Sequence, residues 1–192
     1  MNIPQSIEGK MGRRCIRNMP FDPDGTDDPV AVGDLDSMEK GSGARKNEGK
    51  VQYDLVPLWI HAARWQKEVH SPQEYEMWEA LVAWQEGDDD ALEVWLTSKC
   101  PGAWIDEAVG VLEFGAKKYK AWNWACGMAW SVCTGCIIRH ENKRMLDGQL
   151  LDDDSGLEHV GHTVCNIIFL AHFNKMYREG DDRPPVYKEE EA

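Results

Sequence analysis

The segment LEHVGHTVCNIIFLAHF, residues 157–173, restricts the fold more than any other part of the chain. At 3.6 residues per turn, Leu157, Val160, Val164, Ile168 and Ala171 form one apolar stripe. A second stripe, nearly opposite, carries His159, His162, Asn166 and Phe173. A helix apolar on two sides cannot rest on a surface, so the segment predicts the central member of a helical bundle, over about 155–177. Buried polar groups need partners, supplied by the protein or by a ligand. A single histidine in a helix is most often structural. Two at i,i+3, with an asparagine on the same side, make His159, His162 and Asn166 candidates for a ligand site.

Other helices follow from the same periodicity. Over 104–119, Ile105, Ala108, Val109, Leu112, Ala116 and Tyr119 share a face, and Asp106, Glu113 and Lys117 lie opposite. Glu107 falls on a third side with Val111, Phe114 and Lys118, which points it into a partly covered place. A helix over 128–146 places Cys133, Cys136, Ile137 and His140 together, with Arg139 beside them. A shorter one runs over 58–69. Ser71 and Pro72 open another, with Tyr75, Trp78, Leu81 and Val82 as its stripe, and Leu92, Trp95 and Leu96 mark a third short helix. No alternating strand of any length appears, so the expected class is all-α. Residues 1–42, rich in Pro, Gly and Asp, read as a loose N-terminal arm. Residues 43–178 read as the helical domain, with a Trp-rich stretch at 66–102, and 179–192 as an acidic tail.

Charge narrows the functions. With 34 acids against 21 lysines and arginines, the net charge is -13. That excludes a basic stripe for nucleic acid but leaves room for a small phosphorylated ligand held by a few local cations or a metal. No run of about 18 apolar residues predicts a membrane span, and the N-terminus lacks the apolar core of a secretory signal. Six cysteines with these spacings do not form a disulfide framework, so a reducing cytoplasm is expected. The CTGC run at 133–136 has no second CxxC and lies within a helix, which predicts small buried side chains rather than a zinc site.

Four stretches, in order, carry a family resemblance: GARKNEGKVQYDLVP, DEAVGVLEFGAKKYKAWNW, the pair Arg139–His140, and DxDSGLxHxxHxxxNxxFL from Asp152. Together they resemble the phage dATP/dGTP diphosphohydrolases, the MazZ-like enzymes related to the MazG-like all-α nucleoside triphosphate pyrophosphohydrolases. The resemblance covers about 43–65 and 103–173, which makes the Trp-rich 66–102 an insertion. It implies a MazG-like helical bundle that converts dGTP, and dATP, to the monophosphate and pyrophosphate. It also implies Mg²⁺ or a similar divalent ion (Mn²⁺ or Co²⁺), and a homo-oligomer from dimer to tetramer. In such phages, acting in the host cytoplasm, the enzyme removes a standard purine triphosphate from the pool.

Hydrolysis at an α-phosphorus needs neutralised phosphate charge and an activated water, which a carboxylate-held metal supplies. The metal candidates are Glu107, Asp152 and Asp154, and the catalytic candidates Glu107, His159 and His162. Where the family favours Glu before the Ser-Gly pair, this chain has Asp154. Lys50, Lys117, Lys118, Arg139 and His140 are expected at the phosphates, with Lys118 the better placed of the adjacent pair. Asp54, Tyr119, Asn123, Trp124 and Asn166 are expected at base and sugar. Two rival readings remain: an HD-type phosphohydrolase using His140 and the later histidines, although Glu141 rather than Asp follows His140, and a non-catalytic nucleotide-binding or interaction protein with the acidic tail YKEEEA and the Trp-rich insert as contact surfaces.

Overall fold

A computed structural model describes residues 31–46, 49–67 and 71–185. The expectation for residues 1–30 and for the end of the tail, 186–192, lies outside the described residues. Six helices follow one another: α1 (Leu58–Trp65), α2 (Pro72–Gln85), α3 (Ala91–Ser98), α4 (Gly102–Ala116), α5 (Trp130–Met145) and α6 (His159–Met176). The fold is all-α. Among the described residues the one sheet is a pair of two-residue strands, β1 (Ala31–Val32) and β2 (Arg45–Lys46), with Ala31 opposite Lys46.

The central position expected for α6 is what the structure shows. Its buried residues run almost without break, from His159 through Ile167 and on to Phe173, so no side of the helix is left to solvent. α5 packs along one side of it, α4 along another, and α3 against its far end. Gly161 sets the approach of α4: a Cβ there would stand 2.8 Å from Cβ of Glu107 and 2.9 Å from its carbonyl carbon. Contact centred on that point turns Ala108 and Val111 inward. Of the stripe expected to be buried, Ala108 is buried and Ile105 and Leu112 pack against the core, but Val109 is 47% exposed.

The Trp-rich stretch is built into the core. Trp65, Trp78, Trp84, Trp95 and Trp130 are buried, with the Trp65 and Trp78 rings 5.6 Å apart and those of Trp84 and Trp130 5.7 Å apart. Ser71 caps α2 by accepting the Glu74 N–H, with Pro72 in the first turn, as the sequence signal required. Behind α2, the chain after α6 folds back and lays the Arg183 guanidinium 5.0 Å from both the Trp84 and Trp130 rings. Arg183 also donates to the Trp84 carbonyl and to Asp89, so the described start of the tail is docked rather than free.

Two boundaries differ from expectation by four residues. α1 stops at Trp65 instead of 69. α6 begins at His159 instead of 155, because residues 151–158 form a closed loop. Asp152 nucleates it: its Oδ1 accepts the backbone N–H of Asp154 and Ser155, and its backbone carbonyl accepts that of Gly156. This side-chain-to-backbone bonding competes with a first helical turn, and it wins here. Gly156 takes the positive φ of 70° that the loop needs.

Candidate active site

Two adjacent cavities open beside α4 and α6. One, of about 350 Å³, is polar and holds Lys50, Lys118, His140, Asp152, Asp154, His162 and Asn166. The other, about 260 Å³, is apolar and is walled by Leu112, Trp122, Trp124 and Phe169. Trp124 lies flat on Phe169 at 4.4 Å, which fixes the wall of the apolar cavity.

At the foot of the polar cavity three elements converge. His140 comes from α5, His159 from the first turn of α6, and Asp152 from the loop between them. Their ligand-capable atoms all lie within 4.8 Å of one another. His140 and His159 bring their Nδ1 atoms to 2.8 Å, and Asp152 Oδ2 stands 4.0 Å from Nδ1 of His140. Two imidazole nitrogens bound side by side to one metal at about 2.0–2.1 Å stand roughly 3 Å apart, so the pair is spaced as ligands are. Burial holds both rings neutral, the form that ligates: it lowers His140 to about 2, with His162 adding repulsion, and it lowers His159 as well. Nε2 of His159 is buried with no partner among the described residues, so Nδ1 is the ring's built contact. Burial alone would raise Asp152, but hydrogen bonding from Ser155 and the nearby histidines outweigh it, and its pKa is lowered. These residues fit a divalent ion. Two nitrogens and one carboxylate favour a softer ion than the all-oxygen shell typical of Mg²⁺.

His162 belongs to the same corner. It stacks on His140 at 4.3 Å and its Nε2 lies 2.8 Å from Ser155 Oγ, which itself contacts Asp152 Oδ1 at 3.2 Å. Burial lowers His162 to about 4, so it is a neutral base at neutral pH. Asn166 lies one turn further along α6 and uses its amide to bond the His162 carbonyl.

Arg45, which no periodic signal singled out because it sits in the polar loop GARKNEGK, proves central. Its guanidinium donates to Asn166 Oδ1 and lies 4.9 Å from the centre of the Phe169 ring. Nε of Arg45 is buried and has no partner, and no carboxylate pairs with Arg45 among the described residues. A partly buried cation with no carboxylate partner among the described residues, set in the wall of both cavities, is suited to an anionic ligand. Burial, with Arg139 and Arg45 near, lowers Lys50.

The remaining expected residues divide. Lys118 lines the polar cavity, held 2.6 Å from Asp154 and 4.3 Å from the centre of the Phe114 ring, whereas Lys117 is exposed outside it. Asp154 therefore pairs with a lysine rather than joining the trio. Arg139 donates to the Val51 carbonyl and to Cys136 Sγ, beside the cavity rather than in its wall. Tyr119 lines both cavities and Trp124 the apolar one. Asn123 also borders the apolar cavity, but its amide ties the chain together: it accepts from Ala44 N–H and donates to the Asp34 and Ser37 carbonyls. Asp54 lines a separate small cleft with Gln85 and Arg183. Glu107 rests against Gly161 one turn before Val111, and Val111 is the first residue of its face to reach the polar cavity. Glu141, the acid next to His140, is fully buried and is bonded to Thr163 and Arg144 instead.

Among the described residues no helix is long and apolar enough to cross a membrane. No curated protein and no solved structure matches the chain. A family model described as dATP/dGTP diphosphohydrolase, N-terminal, matches residues 40–183, an interval that contains the whole wall of both cavities. The chain thus belongs to the dATP/dGTP diphosphohydrolase family and is a hydrolase acting on nucleoside triphosphates.

Proposed function

We propose that the chain is a metal-dependent diphosphohydrolase that cleaves dGTP or dATP to the monophosphate and pyrophosphate. The observation that carries this reading is the trio His140, Asp152 and His159, of which His140 and Asp152 line a cavity together with Lys50, Lys118 and Arg45. The trio would hold a divalent ion, with Mn²⁺ or Co²⁺ better suited than Mg²⁺ to its nitrogens; such an ion neutralises phosphate charge and acidifies water. Arg45, Lys50 and Lys118 bind the triphosphate, and Arg45 gains a counter-charge that no described carboxylate supplies. His162, neutral and oriented by Ser155, accepts the proton of the attacking water. Tyr119 and the Trp124–Phe169 wall take the purine. Action on a phage-infected cell's purine pool, as a homo-oligomer in the cytoplasm, is consistent with the family resemblance and belongs to the same proposal.

A second reading draws support from the same nitrogens, since an HD-type enzyme also binds metal through histidines. It releases tripolyphosphate and a nucleoside. Separation of the products of dGTP turnover with Mn²⁺, Co²⁺ or Mg²⁺ decides between them. Pyrophosphate and dGMP are expected. Tripolyphosphate would establish the second reading, and absence of any product would leave a nucleotide-binding protein.

A further inference from the structure

The two cavities share four wall residues, Arg45, Val111, Gly115 and Tyr119. Each cavity alone lies near or below the lower end of the ~300–1,000 Å³ usual for small-molecule sites, and together they fall inside that range. One ligand occupying both would have an anionic end among Lys50 and Lys118, and a flat apolar end against Trp124. Whatever joins those ends must pass the four shared residues.

Gly115 is the anomaly among them. Glycine is disfavoured in a helix, and α4 runs from Gly102 to Ala116. Two conformational or packing reasons commonly justify one. The first is a positive φ, which Gly115 does not have. The second is a close neighbour, as at Gly161, where Glu107 leaves no room for a Cβ. Around Gly115, among the described residues, a Cβ would meet nothing within 4 Å. Neither the helix nor its packing asks for a glycine at this position. The open space beside it adjoins a stretch of wall that the two cavities share.

We infer that Gly115 is a specificity-determining position: its missing side chain keeps open the passage through which the sugar of one purine deoxynucleoside triphosphate joins the apolar and polar cavities. This rests on the diphosphohydrolase reading for the identity of the ligand, but not on catalysis. A methyl at Gly115 would stand in the path of the sugar while leaving the polar cavity's cations in place.

The test compares Gly115→Ala and Gly115→Leu with the wild-type chain, using equilibrium binding of dGTP and, separately, of inorganic tripolyphosphate, which needs only the polar cavity. The thermal midpoint of Gly115→Ala is expected to equal or exceed that of the wild type. The dGTP dissociation constant should rise at least about fivefold for alanine and further for leucine, as overpacking of a fitted site does. Tripolyphosphate binding should stay within about twofold, well inside one kcal/mol of change. Unchanged dGTP affinity in both variants would overturn the inference, as would parallel losses of dGTP and tripolyphosphate binding. If the wild type binds dGTP but does not turn it over, the hydrolase reading fails while the ratio of the two affinities still judges the passage.

Discussion

Asp152 is asked to do two things with one carboxylate. Oδ1 organises the loop by accepting backbone N–H groups from Asp154 and Ser155, and Oδ2 faces His140 at 4.0 Å. Asn in its place keeps an acceptor for the loop but removes the charge. Asp152→Asn should therefore fold and lose turnover by about a hundredfold or more, since several kcal/mol of charge stabilisation goes with the metal. Glu107→Gln is the informative companion. Glu107 stands outside the three grouped donors and rests against Gly161. It should keep its metal content and lose less than about tenfold in turnover, a change under 1.4 kcal/mol. Metal analysis and steady-state rates on the two variants check both, and a variant at Glu107 as damaged as the one at Asp152 would add α4 to the ligand set. The histidines and Asp152 stood out in the sequence because polar residues on an apolar helix, and acids before it, are conspicuous. Arg45 did not, because a cation in a polar loop looks like every other solvated one until the fold buries its Nε.

At the level of helices, periodicity located every long element and put Ala108 on the packed face of α4, yet it placed Val109 rather than Val111 beside it. The wheel sums hydrophobicity, whereas the actual contact is set by a glycine on the neighbouring helix. Gly161 admits the Glu107 backbone, and α4 rotates so that Ala108 and Val111 pack while Val109 is left outside. Nothing in the spacing of α4 itself encodes a missing Cβ on α6. The same reasoning explains the late start of α6, where Asp152's bonds to backbone replace a helical turn that the acids alone suggested. A paired substitution tests the account. Gly161→Ala gains helix propensity of about 1 kcal/mol but must displace the Glu107 carbonyl carbon from 2.9 Å, overpacking of about 1–3 kcal/mol. A net loss of up to about 2 kcal/mol should lower the thermal midpoint by up to about 8 °C. Gly110→Ala, whose Cβ would meet the Leu157 methyls at an ordinary 3.6 Å, should be neutral or stabilising. Equal effects at the two glycines would show that close approach at Gly161 does not set the helix crossing.

Across the whole molecule, the candidate metal trio ties the irregular loop 151–158 to α5 and α6, two helices that already pack closely on each other. His140 lies on α5, His159 opens α6, and Asp152 sits in an irregular loop with exposed Leu150 and Leu151 before it. The core runs through α5 and α6 and on into the tryptophans of α1, α2, α3 and α5, and those tryptophans are buried rather than offered as the contact surface that the rival binding reading needs. An ion bound only by the folded arrangement stabilises it by mass action, about 2.7 kcal/mol when the free ion is a hundred times its dissociation constant. For a chain of 192 residues that corresponds to a rise in thermal midpoint of roughly 5–10 °C. Mn²⁺ added to chelator-treated protein should produce this rise, and chelator should reverse it. The rise should be retained in Glu107→Gln and absent in Asp152→Asn, although both variants fold. Co²⁺ should equal or exceed Mn²⁺, and Mg²⁺ should do less at equal concentration, because two of the three donors are nitrogen. If Mg²⁺ stabilises the wild type as strongly as Mn²⁺, or if Asp152→Asn keeps the full shift, the ion is held by oxygens elsewhere and the trio is a hydrogen-bonded network.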